Sequence, residues 1–597
     1  MSAALRGELI CCHDDAKVPY SETETRSCGH ATSSTPKRAG VAPACSTPCL
    51  PLPLRTMEEQ LRDPMPPEDG FDPVEATIAD VRDAILSRRA TCRQIVQAFL
   101  TRIAEVNPLI NAVICLNPKV LQEADDLDAA LCRGEHPPGV LMGVVIMLKD
   151  NFNAINMKTT GGCLALKDMQ PTRDANVVKA LKDAGAIILG KVNMHEMALE
   201  GLTVSSLGGQ TLNPYDLTRT PGGSSGGSGA AVAASLCVAA TGTDTMNSLR
   251  SPASANSLFS CRPTRGLISR NGVIPISFTQ DAVGPIARCT RDVAILLTAM
   301  ASVGYDDSDV ATMERPKETL GIDYAATLEE GQLRGLRLGL VGGFMSRDLG
   351  LETLPVVEAM ETTVRMLEDA GASVIPIDDA VYDTQDILSR LDTQRFEYQE
   401  ALDEFLQRPD LSGDHPKSFC DLYDSKEFLV IPAQYQHIKA SRKLKRSDDR
   451  YNVVVDGIAQ LQEMLHHTLT EHGLDALIYP QQKCLTVKVG SPSQAQRNGI
   501  LAAVTGFPSV CVPIGFSSPS ADAPIGVPIG MEILGRPWAE GRLLQIAYQC
   551  EKLWQARRPP LLGTSQTKLN SRADDVLRLL PNRGNIRSDV YPHGLLT

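Results

Sequence analysis

Aromatic residues make up only 4% of this 597-residue chain, too few for a platform on which nucleic-acid bases stack. Positive charge is in the minority as well: 58 Lys and Arg against 71 Asp and Glu leave a formal net charge of −13. That balance argues against a polyanion as the main ligand and otherwise serves solubility. No stretch approaches the length of apolar residues that spans a bilayer, the small-residue run Gly229 to Ala240 included. Met1 to Asp14 has no apolar segment of signal-peptide length. The 16 cysteines form no CxxC pair, which speaks against a zinc site. Cys237 and Cys511 stand singly in apolar runs, which points to buried thiols and a reducing compartment. These absences lead to a cytoplasmic protein with no metal or organic cofactor, no direct nucleic-acid partner and no membrane partner. A homodimer is allowed.

What is present is ordinary globular material, with 43% hydrophobic and 22% charged residues. Residues 1–70 read as a disordered leader rich in Ser, Thr, Pro and Cys. Cys28, His30, Cys45 and Cys49 lie there, but their spacings match no zinc template. Order is expected over 71–562, followed by a loosely ordered polar tail, 563–597. Thr77 should cap a helix carrying Ile78, Val81, Ile85 and Leu86 on one face. Thr91 should cap a second, with Ile95, Phe99, Leu100 and Ile103 inward, stopped by Asn107-Pro108. Gly143 to Leu148 reads as a buried strand with Lys149 at its end. Strand and helix signals then alternate to about residue 320, so the fold class is α/β with a sheet covered on both faces. Between about 345 and 470 the segments become longer, charged and helical. A basic cluster there (Arg442, Lys443, Lys445, Arg446) reads as a solvated helix face. Strand signals return at Ala476 to Pro480 and at Ser509 to Pro513, and Gly541 to Arg557 should form a last helix.

Three short segments carry chemistry. Lys149 ends an apolar strand, and a desolvated lysine can lose its proton and serve as a base. Lowering it from about 10.4 to about 7 needs roughly 4 to 5 kcal/mol from the surroundings. Taken alone, Lys149 reads more readily as an exposed strand-end lysine, a common residue at that position. Pro221 to Ser228 is a Gly/Ser run, either a flexible linker or a structured loop opening the small-residue helix that follows. A nucleotide loop is disfavoured, because GxxxxGK[ST] is absent. Ser248 follows a strand through a tight turn whose backbone N–H groups could hold an oxyanion while the serine attacks a carbonyl.

Together, Leu148-Lys149-Asp150, Gly222 to Gly229 and Gly242 to Ala253 resemble the amidase signature family. Secondary matches include Gly190 to Glu196, Asn213-Pro214-Tyr215, Arg262 to Gly266, Thr505 to Pro508 and Pro528 to Arg536. The resemblance covers about 73–560 and implies one large α/β/α domain with a central mixed sheet and helices on both faces. It implies that Ser248 is the nucleophile, Lys149 the base, and Ser224 the relay, a serine preceded by a cis peptide bond. Backbone N–H groups of Thr245, Met246, Asn247 and Ser248 would form the oxyanion hole, with Ser225, Asp244 and Arg250 in support. One departure is Met246-Asn247, where the family has Gly-Gly. A positive φ there would cost Met about 1 to 2 kcal/mol, and two side chains would crowd the turn. His195 matches a position outside the triad and is expected to be structural or solvent-facing. The implied activity is hydrolysis of a small-molecule carboxylic amide through an acyl-enzyme. The alternatives are the glutaminase (A-type) subunit of an aminoacyl-tRNA amidotransferase and a degenerate binding protein that keeps the fold.

Overall fold

The computed structural model describes residues 70–135, 139–494, 496–562 and 579–596. The leader, with Cys28, His30, Cys45 and Cys49, lies outside them. Eleven strands form the central sheet: β1 (Val113–Leu116), β2 (Val145–Lys149), β3 (Ile187–Val192), β4 (Ala239–Asp244), β5 (Phe259–Arg262), β6 (Ala282–Ala287), β7 (Arg337–Val341), β8 (Ser373–Ile377), β9 (Ala476–Pro480), β10 (Ser509–Phe516) and β11 (Pro528–Leu534). Their spatial order is β1-β3-β2-β4-β6-β5-β10-β11-β9-β7-β8. β2 runs parallel to β3 and β4, and β7 runs parallel to β8 and β9. The strands between these two parallel groups pair antiparallel. The sheet is therefore mixed, as expected of the α/β class.

Sequence explains the buried half directly. β2 reads Val-Ile-Met-Leu-Lys and β3 reads Ile-Ile-Leu-Gly-Lys-Val, and every residue of both is buried. Apolar runs without alternation belong to strands covered on both faces. Covering helices include Asn176–Asp183, Thr290–Ala301 and Glu540–Trp554. No helix among the described residues is long and apolar enough to cross a membrane. Cys237 and Cys511 are buried free thiols.

Both N-caps fall where the sequence puts them. Thr77 and Thr91 form capping boxes with Asp80 and Gln94, each satisfying two otherwise unpaired backbone donors. The inward face of the first helix differs: Ile78, Val81 and Ala84 are buried, whereas Leu86 is 56% exposed. The helix ends at Leu86, and only this last residue points away from the core, since Ala84 and Ile85 still pack against it. The second helix, Cys92–Ile110, is not stopped by Asn107-Pro108 but runs through it. Pro108 sits in the final turn, where its missing N–H costs one intrahelical hydrogen bond and only two helical residues follow it. The Asn107 side chain also accepts the N–H groups of Ala112 and Val113, both at 2.8 Å.

The C-terminal segment departs from the loose tail expected. Residues 579–596 return to the domain and place Tyr591 in a buried cluster with Leu202, Val204, Leu429 and Ile431. Tyr591 Oη donates to the Ser491 carbonyl at 2.6 Å. Asn585 Nδ2 donates to the Gln210 carbonyl at 2.8 Å, and the Asn582 N–H donates to Asn111 Oδ1 at 3.0 Å. The segment's asparagines occupy backbone and side-chain polar groups of the domain, which its polar composition alone does not signal.

Candidate active site

Because β2 and β4 are parallel neighbours, Lys149 and Asp244, their last residues, end at the same edge of the sheet. Lys149 is fully buried. Its Nζ lies 2.8 Å from Ser224 Oγ and 2.7 Å from Thr243 Oγ1. Burial drives the ammonium down to about 7, although the charges of Asp244 and Asp281 pull the other way. The exposed strand-end reading of this lysine is therefore ruled out.

Ser224 belongs to the Gly/Ser run, and every residue from Pro221 to Gly229 is buried. The run is a packed loop and not a linker. The Gly223–Ser224 peptide bond is cis. Gly222 has φ +69°, and a Cβ there would also meet the Ser251 carbonyl at 2.8 Å. At Gly227 a Cβ would stand 2.1 Å from the Asn193 carbonyl oxygen. Only glycine lets helix Gly226–Ala233 start against that backbone. The Ser224 carbonyl accepts the His195 N–H at 3.0 Å.

Ser248 sits in the turn between β4 and helix Arg250–Ala255, and is 6% exposed. Its carbonyl accepts the Ser225 N–H at 3.3 Å, which joins the two serine loops. Ser225 Oγ in turn donates to the Thr243 carbonyl at 3.2 Å. The N–H groups of Thr245, Met246, Asn247 and Ser248 have no acceptor among the described residues. Four adjacent free donors beside a serine are what a developing oxyanion needs.

A buried ionic network fixes that turn. Asp244 accepts the Leu249 N–H at 2.9 Å and both Arg250 Nε and Nη2 at 3.0 Å. Arg262 Nη1 adds a fourth bond at 2.9 Å. Arg250 Nη1 reaches Glu532 at 2.6 Å, and Arg250 Nη2 donates to the Met246 carbonyl at 2.8 Å. Burial alone would raise the Asp244 carboxyl, but the two guanidiniums hold it down at about 2. Two acids and two bases leave the network formally neutral.

The Met246-Asn247 departure is accommodated without the expected strain. Neither residue has a positive φ. Met246 enters the apolar cluster of Phe344, Tyr382 and Leu501 instead of crowding the turn. Asn247 fits because position 499 is glycine. A Cβ at Gly499 would meet Asn247 Cβ and Arg250 Nη1 at 2.9 Å and Glu532 Oε1 at 3.0 Å. Gly499→Ala is thus expected to lower stability by about 1 to 3 kcal/mol, with activity falling as the turn shifts. Thermal melting and amidase assays check this, and an added Asn247→Gly should recover part of the loss.

His195 is buried, not solvent-facing. Burial first, then the charges of Arg497 and Lys149, depress its imidazole to about 3, so it stays neutral. Two residues of the site carry no clear mark in the motifs: Thr243 and Asn151. Thr243 Oγ1 bridges Lys149 Nζ and Asn151 Nδ2, the latter at 3.1 Å. The signal that could have found Thr243 is strand alternation. Thr241 and Thr243 are two apart on β4, and Thr241 Oγ1 also accepts the Lys149 N–H at 3.2 Å.

A cavity of about 480 Å³ meets this site at Asn151, Thr243 and Thr245. Ile274, Ile276, Phe278 and Phe405 give it an apolar wall. Ala401, Arg446 and Tyr451 bring in the charged helical region between about 345 and 470. Arg446 lies over the Phe278 ring, 4.3 Å from its centroid, and pairs with Glu400. This member of the basic cluster therefore also lines the cavity, held by an acid and an aromatic ring, while its side chain stays 39% exposed. Arg442, Lys443 and Lys445 are exposed, as the solvated-face reading expects.

Residues 94–544 match the family model described as Amidase. The chain belongs to the amidase family. The A-type subunit of glutamyl-tRNA(Gln) amidotransferase from Alkaliphilus metalliredigens is 31% identical to this amidase over 505 residues, covering 80% of this chain and 96% of the relative. Among solved structures, native peptide amidase from Stenotrophomonas maltophilia matches with a TM-score of 0.70 at 32% identity, covering 82% of this amidase and 98% of that chain. The A-type amidotransferase protein from Thermotoga maritima matches with a TM-score of 0.62 at 26% identity, covering 81% and 95%. The chemistry of this amidase is hydrolysis of an amide C–N bond.

Proposed function

We propose that Ser248 is the nucleophile, Ser224 the relay and Lys149 the base of a stand-alone amidase. Neutral Lys149 takes the Ser224 proton as Ser224 takes that of Ser248, and Ser248 Oγ bonds to the amide carbon. The resulting oxyanion is held by the N–H groups of Thr245, Met246, Asn247 and Ser248. On collapse the proton returns along the same path to the leaving nitrogen, the C–N bond breaks, and an acyl-enzyme remains. Water then attacks that ester and restores Ser248. Ser225, Asp244 and Arg250 keep the two serine loops in register. A small-molecule amide fits the adjoining cavity, whose size lies in the range of ligand pockets. The free buried thiols favour a cytoplasmic setting.

The observation that carries this reading is a buried amine, brought near neutral pH, in contact with Ser224. A fluorophosphonate should label Ser248, and one of a panel of primary, aryl and fatty amides should be hydrolysed. No label on Ser248 would leave the fold as a binding protein. Relatives named for the A-type component of an amidotransferase favour a second reading, a glutaminase that works inside a larger assembly. It requires glutamine as substrate and activity that appears only with partner subunits. Robust turnover of other amides by the purified chain alone would exclude it.

A further inference from the structure

We infer that Asn151 reads the N–H of the scissile amide through its side-chain carbonyl and so positions the substrate for attack. Asn151 stands two residues beyond Lys149 and lines the cavity where the cavity meets the site. It is 1% exposed. Its Nδ2 is engaged by Thr243 Oγ1 at 3.1 Å, which fixes the plane of the amide group. Its Oδ1 is buried and accepts no hydrogen bond from any described residue. A buried acceptor left without a donor is costly, and nearly all such groups in folded proteins are paired. At the wall of a ligand cavity, the partner that satisfies it is a donor on the ligand.

The chemistry supplies that donor. The inference rests on Ser248 as nucleophile. The substrate carbonyl oxygen must then face the free N–H groups of 245–248, which leaves the nitrogen to face the Lys149 and Thr243 side of the site. An amide N–H directed at Asn151 Oδ1 would hold the nitrogen close to the Lys149–Ser224 path, along which its proton arrives. An ester offers no such hydrogen, nor does a tertiary amide. Asn151 would therefore be a positioning residue that favours amides bearing N–H over other acyl compounds.

The test compares a primary amide, its N-methyl and N,N-dimethyl forms and the methyl ester of one acyl group. In the unaltered enzyme, kcat/KM should drop sharply between N-methyl and N,N-dimethyl amide, a comparison that needs no variant. Asn151→Ala should lower kcat/KM for the primary amide by at least about tenfold and for the ester by less than about threefold. Fluorophosphonate labelling of Ser248 and the midpoint of the pH–rate profile should be unchanged. An equal loss on amide and ester with a displaced midpoint would overturn the inference, because Asn151 would then act by holding Thr243 and Lys149. An unaltered amide rate in Asn151→Ala would overturn it too. Amide hydrolysis by Ser248→Ala would instead remove the catalytic reading itself.

Discussion

Ser248→Ala is expected to reduce kcat on any amide by about four to six orders of magnitude, with KM little changed. The alanine keeps the turn, because Ser248 is tied into it by its main-chain carbonyl and not by its hydroxyl. Asp244, Arg250 and Arg262 keep their bonds as well. What disappears is the atom that bonds to the substrate carbon, so no acyl-enzyme can accumulate. Mass spectrometry of the enzyme quenched during turnover should find the acyl mass on the unaltered chain and none on the variant. An acyl adduct or appreciable turnover in the variant would place the nucleophile elsewhere.

The second large effect concerns Lys149. Its amine must be neutral to act, so kcat/KM should rise with pH through a midpoint near 7 and then level off. Lys149→Met should lower the plateau by about two to four orders of magnitude and abolish the midpoint. Stability should rise with pH as well. The lysine titrates near 10.5 when unfolded and near 7 when folded, so between those values the unfolded chain binds more protons. Stability therefore rises with pH across that window. Below about pH 7 burial of the ammonium carries its full cost, on the order of 5 kcal/mol. Lys149→Met should accordingly melt higher than the unaltered enzyme at pH 6, and the advantage should shrink as pH approaches 10. Calorimetry across that range checks the sign, and a melting gain that grows with pH would contradict it.

Much of this site was legible because its parts are local. Lys149 ends a five-residue apolar strand, Ser224 lies among glycines with visible steric reasons, and Ser248 follows a strand directly. The two threonine caps were legible for the same reason, since each box closes within four residues. What escaped depends on partners distant in the chain. Asn247 is tolerated because Gly499 makes room, and Met246 because the helical region supplies an apolar cluster for it. That Arg446 also lines the cavity shows only once Glu400 and Phe278 are placed beside it. The buried position of His195 follows from the packing of the Ser224 loop over it. Pro108 reads as a helix stop because the support from Asn107 involves residues beyond the helix. The docking of 579–596 rests on Tyr591, with Ile586 and Val590 packed beside it, and on the hydrogen bonds of Asn582 and Asn585, all to partners far away in the chain.

Bond breaking and substrate choice are encoded far apart in this chain. The proposed triad falls between positions 149 and 248, on two adjacent strands and the loops beside them. The cavity wall draws on Ala401, Phe405, Arg446 and Tyr451 from a later excursion of helices. Substitutions accumulating in that excursion can reshape the cavity while the proposed proton path and the ionic lattice behind it stay undisturbed. Selection can thus retune what enters such an enzyme without re-inventing how it cuts.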